Sequence, residues 1–181
     1  MAPYAFDKLA AANQNSVLSD VGADPFTKIY RLKNAARFSE ALRLIFDRER
    51  DCIRAPYDLD ANHAWYVIAD IHCREGRFDL AKRAFERALI EWPEDVDALI
   101  GLANACTELE MSELSLRTLI VAKKFNPFDE RVSYNLANAY LDCEDHEEAV
   151  AIYERLISTG SALSVLARKN MTIALERMDQ E

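Results

Sequence analysis

The sequence predicts an all-α fold, an α-solenoid of antiparallel helix pairs that ends in a C-terminal capping helix. The main observation is a period of 34 residues, at which small and large residues recur in matched positions. The small residues are Ala69, Ala103 and Ala137, and the large ones are Phe85, Leu119 and Tyr153. Such a period is typical of helical repeat arrays. Half of the 181 residues are hydrophobic, with only four glycines and five prolines, and this balance favours helices over sheets.

The clearest repeat spans residues 62–95, which read as two amphipathic helices closed by Trp92-Pro93. This stretch resembles the tetratricopeptide repeat (TPR) family. Signature positions of the family are matched by Trp65, Ala81, Phe85, Ala88 and Pro93, with Ile68 and Ala69 as conservative replacements. The resemblance implies a right-handed TPR array that works as a non-catalytic protein-protein interaction module.

The segments before this repeat are less regular. Residues 1–21 are predicted to be either a flexible arm or a docking helix, with neither alternative favoured. Residues 22–61 read as a degenerate first repeat plus a linker. Its first helix starts at Asp24-Pro25, which suit a helix N-terminus, and its second helix is expected over residues 37–53. A loop over residues 56–61 then leads into the next repeat.

Two further repeats and a closing helix follow. The period predicts TPR units at residues 96–129 and 130–163 and a capping helix at 164–181. Gly160 suits the left-handed residue that ends a helix. A terminal helix must cover the apolar face of the last repeat. The residues expected to be buried by it are Val165, Leu166, Met171, Ala174, Leu175 and Met178, and those expected in solvent are Arg168, Lys169, Glu176 and Arg177.

The charge distribution limits the classes of partner. The formal net charge of −9 repels phosphate backbones and argues against nucleic acid as the main ligand. Residues 28–54 are the exception, because they carry eight basic side chains against four acidic ones. This region is either a set of solvated helix faces or a basic end that docks an acidic partner.

The compartment is predicted to be the cytoplasm. The N-terminal residues lack the apolar core of a signal peptide, and no apolar run is long enough to insert in a membrane. The four cysteines are far apart and form no C-x-x-C motif, so they are expected to stay reduced.

Catalytic and metal-binding motifs are absent from the sequence, so we expect neither an enzyme nor a cofactor. His72 and Cys73 are adjacent, and adjacent helical residues point to different faces. His72 stands where the TPR family usually has a tyrosine, so the resemblance implies a histidine packed between helices. His146 lies in the acidic run 142–148, which lacks the spacing of a calcium loop. It is read as part of a solvated turn.

The TPR resemblance implies that the first helix of each repeat lines a concave groove. Two rows of residues recur there at the repeat spacing, one aromatic or aliphatic and one polar. An amide offers both a donor and an acceptor to a peptide backbone, and the apolar row could anchor side chains. The alternative is that these residues line a wet groove or contact the capping helix. The candidate residues are Tyr66, Ile100 and Tyr134, then Asp70, Asn104 and Asn138, together with Arg74, Asn135 and Lys169.

Three kinds of partner remain open. Some TPR proteins clamp the acidic C-termini of heat-shock chaperones, and Asn104, Asn135 and Lys169 match that clamp, but Ile100 and Val165 replace two of its basic residues. The small acidic TPR chaperones of bacterial type III secretion are similar in length, charge and repeat number, over about residues 62–178. The third alternative is a structural scaffold that uses the outer faces or the basic first repeat, or a homodimer through the N-terminal arm.

Overall fold

The computed structural model describes residues 24–179, which include nine α-helices and one short hairpin. The predicted arm at residues 1–21 lies outside the described residues. The elements are α1 (Phe26–Asn34), α2 (Phe38–Ile45), β1 (Phe46–Asp47), β2 (Cys52–Ile53), a 3-10 helix (Tyr57–Asp60), α3 (Ala61–Arg74), α4 (Phe78–Glu91), α5 (Val96–Glu108), α6 (Ser112–Phe125), α7 (Glu130–Asp142), α8 (His146–Ser158) and α9 (Ser164–Met178).

The helices pack in chain order as a solenoid. Each helix from α3 to α9 packs chiefly on its neighbours along the chain, which confirms the predicted all-α solenoid. The predicted small residues lie at the helix crossings, since Ala69, Ala103 and Ala137 are fully buried. The matched large residues Phe85 and Tyr153 are fully buried as well. Small residues allow close approach of the backbones and large ones fill the remaining space.

Aspartate side chains begin the first helices of the regular pairs. Asp60 accepts a hydrogen bond from the backbone N–H of His63 at 3.2 Å, and Asp95 accepts one from Ala98 at 3.0 Å. Asp129 accepts one from Arg131 at 2.8 Å. These bonds satisfy N–H groups that the first helical turn leaves unpaired. The second helices α2, α4, α6 and α8 have no such side-chain cap.

A left-handed residue ends the first helix of every pair. Such a residue closes a helix because the following N–H can then bond to a carbonyl of the last turn. The predicted role of Gly160 is confirmed, since its φ is 69° after α8. The residues in this position after α1, α3, α5 and α7 are Ala36, Gly76, Glu110 and Glu144, with φ of 56°, 70°, 59° and 66°.

The second helix of the first pair is shorter than predicted. We expected a helix over residues 37–53, but α2 ends at Ile45 and β1 pairs with β2 in an antiparallel hairpin. The Asp47 carboxylate accepts hydrogen bonds from the backbone N–H groups of Glu49 and Arg50, at 3.1 and 3.2 Å. A short polar side chain that bonds its own backbone competes with helix formation. The predicted loop at 56–61 is mostly the 3-10 helix.

The capping helix α9 packs through a narrower face than predicted. Ala167 and Ala174 are buried against the last pair, whereas Val165 is 77 % exposed and Leu166 and Leu175 are also exposed. The expected burial of these three residues is therefore wrong. Because α9 packs on the last pair through the two alanines, the larger side chains of Val165, Leu166 and Leu175 lie outside this interface. The residues expected in solvent, Arg168, Lys169, Glu176 and Arg177, are exposed.

Candidate functional site

The inner surface is formed by α3, α5 and α7. These first helices contact one another in order, and α7 also contacts α9, whereas contacts between α4 and α6 or between α6 and α8 are fewer. A stack whose first helices approach more closely than its second helices curves toward the first helices. The inner surface is therefore the concave side.

One end of the inner surface is closed by α1. Lys33 on α1 forms an ion pair with Asp70 on α3 at 2.7 Å, and Arg74 reaches the same carboxylate at 3.3 Å. Asp70 is only 2 % exposed. This predicted groove residue therefore serves to hold α1 against α3 and leaves Arg74 exposed at the surface. Lys33, which the repeat pattern does not single out, belongs to this end because α1 packs across α3.

A second polar contact joins the same two helices. The Tyr30 hydroxyl is hydrogen-bonded to Nε2 of His63. Burial raises the pKa of Tyr30 to about 12, and burial lowers the pKa of His63. The hydroxyl thus stays protonated, and the neutral imidazole can accept its hydrogen bond.

The other end of the inner surface is closed by α9. The Asn170 amide donates to Oδ1 of Asn138 at 2.8 Å and to the Tyr134 hydroxyl at 3.1 Å. The Tyr153 hydroxyl donates to the same Asn138 oxygen at 2.6 Å. Tyr134 and Asn138 therefore contact the capping helix, which is the alternative that the sequence left open for them. Asn170 was missed, because it does not share the period of the asparagines at 104 and 138.

The middle of the inner surface holds two partly exposed candidates. Asn104 on α5 is partly exposed, and its side chain makes no hydrogen bond with any residue between 24 and 179. Tyr66 on α3 is also partly exposed, with its ring edge-on to Phe85 at 5.8 Å. Ile100, four residues before Asn104 on α5, is buried. Tyr66 and Asn104 are therefore partly accessible, while Ile100 offers little area to a ligand.

The remaining two candidates do not join this centre. The Asn135 amide donates to the carbonyl of Arg131 on its own helix at 2.8 Å. Lys169 is exposed on α9 and makes no hydrogen bond or ion pair with the described residues. Asn135 and Lys169 thus share no polar contact with Asn104, the third residue matched to the heat-shock clamp.

Acidic groups dominate the electrostatics of the inner surface. Burial raises the pKa of Tyr66, and the nearby carboxylates of Asp97 and Asp70 raise it further. Burial raises the pKa of Cys73 to about 12, with added effects from Asp70 and Glu108. A thiol with this pKa is not a nucleophile at neutral pH.

One cation partly offsets the acids of the inner surface. Arg131 on α7 bonds Asp97 on α5 at 2.7 Å, so it joins neighbouring first helices. It also pairs with Asp129 at 2.7 Å. Both carboxylates raise its pKa further above the usual arginine value. Because two of the nearby acids already occupy Arg131, it offers little free positive charge to a ligand.

The two histidines considered for chemistry have different outcomes. His72 is buried at the end of α3, as predicted. His146 is only 5 % exposed at the start of α8, so the predicted solvated turn is wrong at this residue. The acids around it remain exposed while the imidazole lies beneath them. Residues 24–179 contain no group of three or more His, Cys, Asp or Glu side chains placed to hold a metal ion.

Comparison with known proteins identifies the repeats. Two family models for the tetratricopeptide repeat match the chain, one over residues 62–105 and one over residues 130–159. The chain therefore contains tetratricopeptide repeats, and its helical solenoid is of the TPR type. Among the described helices, none has the length and apolar character needed to cross a bilayer. No curated protein matches the sequence.

Several solved structures share this fold. The MamA RS-1 ArsTM double mutant aligns with a TM-score of 0.71 at 18 % identity, over 84 % of this chain and 82 % of that one. YrrB, a TPR protein with an unusual peptide-binding site, aligns with a TM-score of 0.62 at 19 % identity, over 85 % and 73 %. The first TPR domain of human RPAP3 aligns at 0.61 and 15 %, over 67 % and 97 %. At these identities the likeness shows the fold alone.

Proposed function

We propose that this chain is a non-catalytic adaptor or chaperone that binds an extended segment of a partner protein along the inner surface. The observation that carries the proposal is Asn104, an amide at the centre of a concave surface with no hydrogen bond to another described residue. A free amide can donate to and accept from a peptide backbone. YrrB, which has the same fold and a peptide-binding site of its own, supports this use of a TPR array.

The neighbours of Asn104 indicate what the segment carries. Tyr66 lies one helix away and presents a partly exposed ring, which suits an apolar or cationic side chain. The carboxylates of Asp97, Asp70 and Asp95 raise the pKa of Tyr66. The cations of this surface are already paired, Lys33 and Arg74 with Asp70 and Arg131 with Asp97. We therefore propose a neutral or basic segment, and an acidic C-terminus of the heat-shock type is disfavoured.

The test compares partner recovery by variants of the inner surface. Asn104→Ala removes the amide without breaking an intramolecular bond, and Tyr66→Phe removes only a hydroxyl. The control is Asn126→Ala, an exposed amide on the connection between α6 and α7. Purification from the native cells with quantitative mass spectrometry should show one principal partner that falls about tenfold with Asn104→Ala and is retained by the control. Equal recovery by all variants would contradict the proposal.

The partner segment can then be located directly. Overlapping peptides from the recovered partner are titrated against the purified chain by fluorescence anisotropy. A single peptide should bind and lose affinity with Asn104→Ala by a similar factor. Binding only by the folded partner would show that the inner surface does not take an extended segment. Export chaperoning of the type III class and the cytoplasmic location stay predictions.

A second candidate function is assembly through one edge of the solenoid. Phe128 is 93 % exposed and Trp92 is 55 % exposed, and both lie on connections that precede a first helix. Large exposed apolar side chains grouped on one edge favour a contact with another chain. Phe128→Ser with Trp92→Ser should then lower the mass in analytical ultracentrifugation, while Val165→Ser does not. Removal of residues 1–21 tests the alternative homodimer through the N-terminal arm.

A further inference from the structure

A cavity of about 480 Å³ lies outside the inner surface. It is bordered by α2, the β1–β2 hairpin and the turn between α3 and α4. Four arginines line it, Arg43, Arg48, Arg54 and Arg77, and we call it the arginine pocket. The hairpin replaces the expected continuation of α2, so the pocket is built where the chain departs from the regular repeat.

The arginine pocket carries uncompensated positive charge. Its lining contains four arginines and two acids, Asp47 and Glu49. Glu75 lies beside it and pairs with Arg77, so the net charge is +1 with a neutral histidine. Arg54 is paired with Asp47 at 3.3 Å, and Arg77 is paired with Glu75 at 3.4 Å.

The other two arginines remain available to a ligand. Within residues 24–179, Arg43 and Arg48 form no ion pair, and both are exposed. A guanidinium presents two N–H groups in a planar fork that matches the oxygens of a phosphate.

A buried imidazole forms part of the wall. His72 is 8 % exposed, and its Nδ1 has no hydrogen-bond partner among the described residues. The nearest carboxylate oxygen, on Glu75, is 3.5 Å away, at the outer limit for such a bond. Burial lowers the pKa of His72, so the neutral ring keeps one N–H donor and one acceptor. Oε2 of Glu75 is likewise buried without a hydrogen-bond partner among residues 24–179, so the two atoms face each other across this distance and form a weak contact.

The walls of the arginine pocket are held in place before any ligand binds. Phe46 of the hairpin packs edge-on against Trp65 with ring centroids 5.4 Å apart. Arg87 of α4 donates to the carbonyl of Asp51 at 3.2 Å and also pairs with its carboxylate. The same guanidinium lies 4.7 Å from the Trp65 ring centroid. The hairpin is thus fixed to α3 and α4, and a preformed pocket binds without the cost of ordering a loop.

We propose that the arginine pocket binds a phosphate monoester carried on a small apolar or aromatic group. A phosphate monoester carries about −1.5 to −2 at neutral pH and three acceptor oxygens, so it can pair with the guanidinium groups of both Arg43 and Arg48, whereas a carboxylate carries a single charge. Leu42, Phe46 and Leu80 form the apolar part of the lining and suit the attached group. The volume lies within the range of small-ligand sites, roughly 300 to 1,000 Å³.

The test uses phenyl phosphate as the probe and the full chain. Isothermal titration calorimetry should give saturable binding with one site. Arg43→Gln and Arg48→Gln should each weaken it about tenfold, because each removes a charge-assisted contact. Arg83→Gln, which removes an exposed arginine of α4 outside the pocket, should leave the affinity unchanged. Circular dichroism of each variant checks that the fold is intact.

Two comparisons decide the chemistry of the ligand. Benzoate has the same ring with a carboxylate and should bind at least about fivefold more weakly, because it carries less charge. Equal affinity for benzoate, an equal loss with Arg83→Gln, or no saturable binding of phenyl phosphate would each overturn the proposal. A phosphotyrosine peptide distinguishes the sources: tighter binding than phenyl phosphate points to a modified partner protein, and equal binding points to a small phosphorylated molecule.

Discussion

The regular repeats from α3 to α8 and the first pair with its hairpin follow different rules. In the regular part the same local devices recur, an aspartate that begins each first helix and a left-handed residue that ends it. The first pair keeps the left-handed turn, at Ala36. Its second helix stops early, because Asp47 bonds to the backbone just beyond it. The packing of Phe46 against Trp65 also holds the hairpin, and this departure from the repeat creates the arginine pocket.

The largest expected effect tests the packing of the regular part. Phe85→Ala should lower the free energy of unfolding by about 3 to 5 kcal/mol, because it removes a fully buried aromatic ring and leaves a cavity. The ring fills the space beside Gly101, where an added Cβ would lie 2.3 Å from Cζ of Phe85. Urea denaturation followed by circular dichroism measures the loss. Ile90→Ala on the exposed side of the same helix is the control, and a comparable loss there would show that the packing differs.

The next effect tests how the first pair is joined to the regular part. Lys33→Met should cost about 2 to 3 kcal/mol, because it leaves the buried Asp70 carboxylate with only the more exposed Arg74. The double variant Lys33→Met with Asp70→Leu should recover most of the loss, since no buried charge remains unpaired. Lys28→Met on the exposed side of α1 is the matched control. A loss in the double variant equal to the sum of the single losses would contradict a direct pair.

Much of the regular part was predictable because its signals are local and repeated. The spacing of Ala69, Ala103 and Ala137 predicts the helix crossings, and Gly160 predicts a helix end, without knowledge of distant contacts. The hairpin was not predictable in this way. Residues 37–53 keep the apolar spacing of a helix, and the decision between helix and hairpin depends on bonds of Asp47 and on the packing of Phe46 against Trp65.

The sequence predicts which side of the first helices lines the inner surface. It predicts less well which neighbouring residues contact that surface. Helical register predicts that Tyr66 and Asn104 face the inner surface, and both are partly exposed. Register gives no information on which of these residues a neighbouring element covers. Asp70 and Asn138 have the same repeat position as Asn104, yet one is taken by Lys33 and the other by Asn170. Both partners come from the ends of the array, where the repeat no longer applies.

A smaller loss of stability is expected at His146, which is buried within an otherwise exposed acidic turn. His146→Ala should lower the free energy of unfolding by about 1 to 2 kcal/mol, because the imidazole is buried at the start of α8. Asp145→Ala, an exposed neighbour without a side-chain capping bond, is the control and should change stability by less than about 0.5 kcal/mol. Equal effects of the two variants in thermal denaturation would restore the solvated turn that the sequence predicted.

The smallest expected changes in the free energy of unfolding concern the left-handed residues, which end a helix in the first pair and in the regular repeats alike. Glu110→Gly should stabilise the chain by about 0.5 to 1 kcal/mol, because a residue with a Cβ is strained at positive φ. Gly76→Ala, at the same position one repeat earlier, should cost about 1 kcal/mol. No atom lies within 4 Å of the added Cβ, so its cost is conformational alone. Denaturant titrations should show changes in the free energy of unfolding of opposite sign for these two variants. Changes of the same sign would contradict the left-handed conformation at these positions.

Ala36→Gly extends the same measurement to the first pair. Its φ is 56°, so the local gain should match that of Glu110→Gly. Whether that gain appears in the unfolding of the whole chain depends on coupling, since stabilising a segment raises the global transition only when the segment unfolds with it. The Lys33–Asp70 pair at 2.7 Å joins the first pair to α3, so we expect an equal shift of the global midpoint. The shift should vanish in the Lys33→Met background, because the first pair then unfolds separately. A gain that persists there would mean that apolar packing alone couples the two regions.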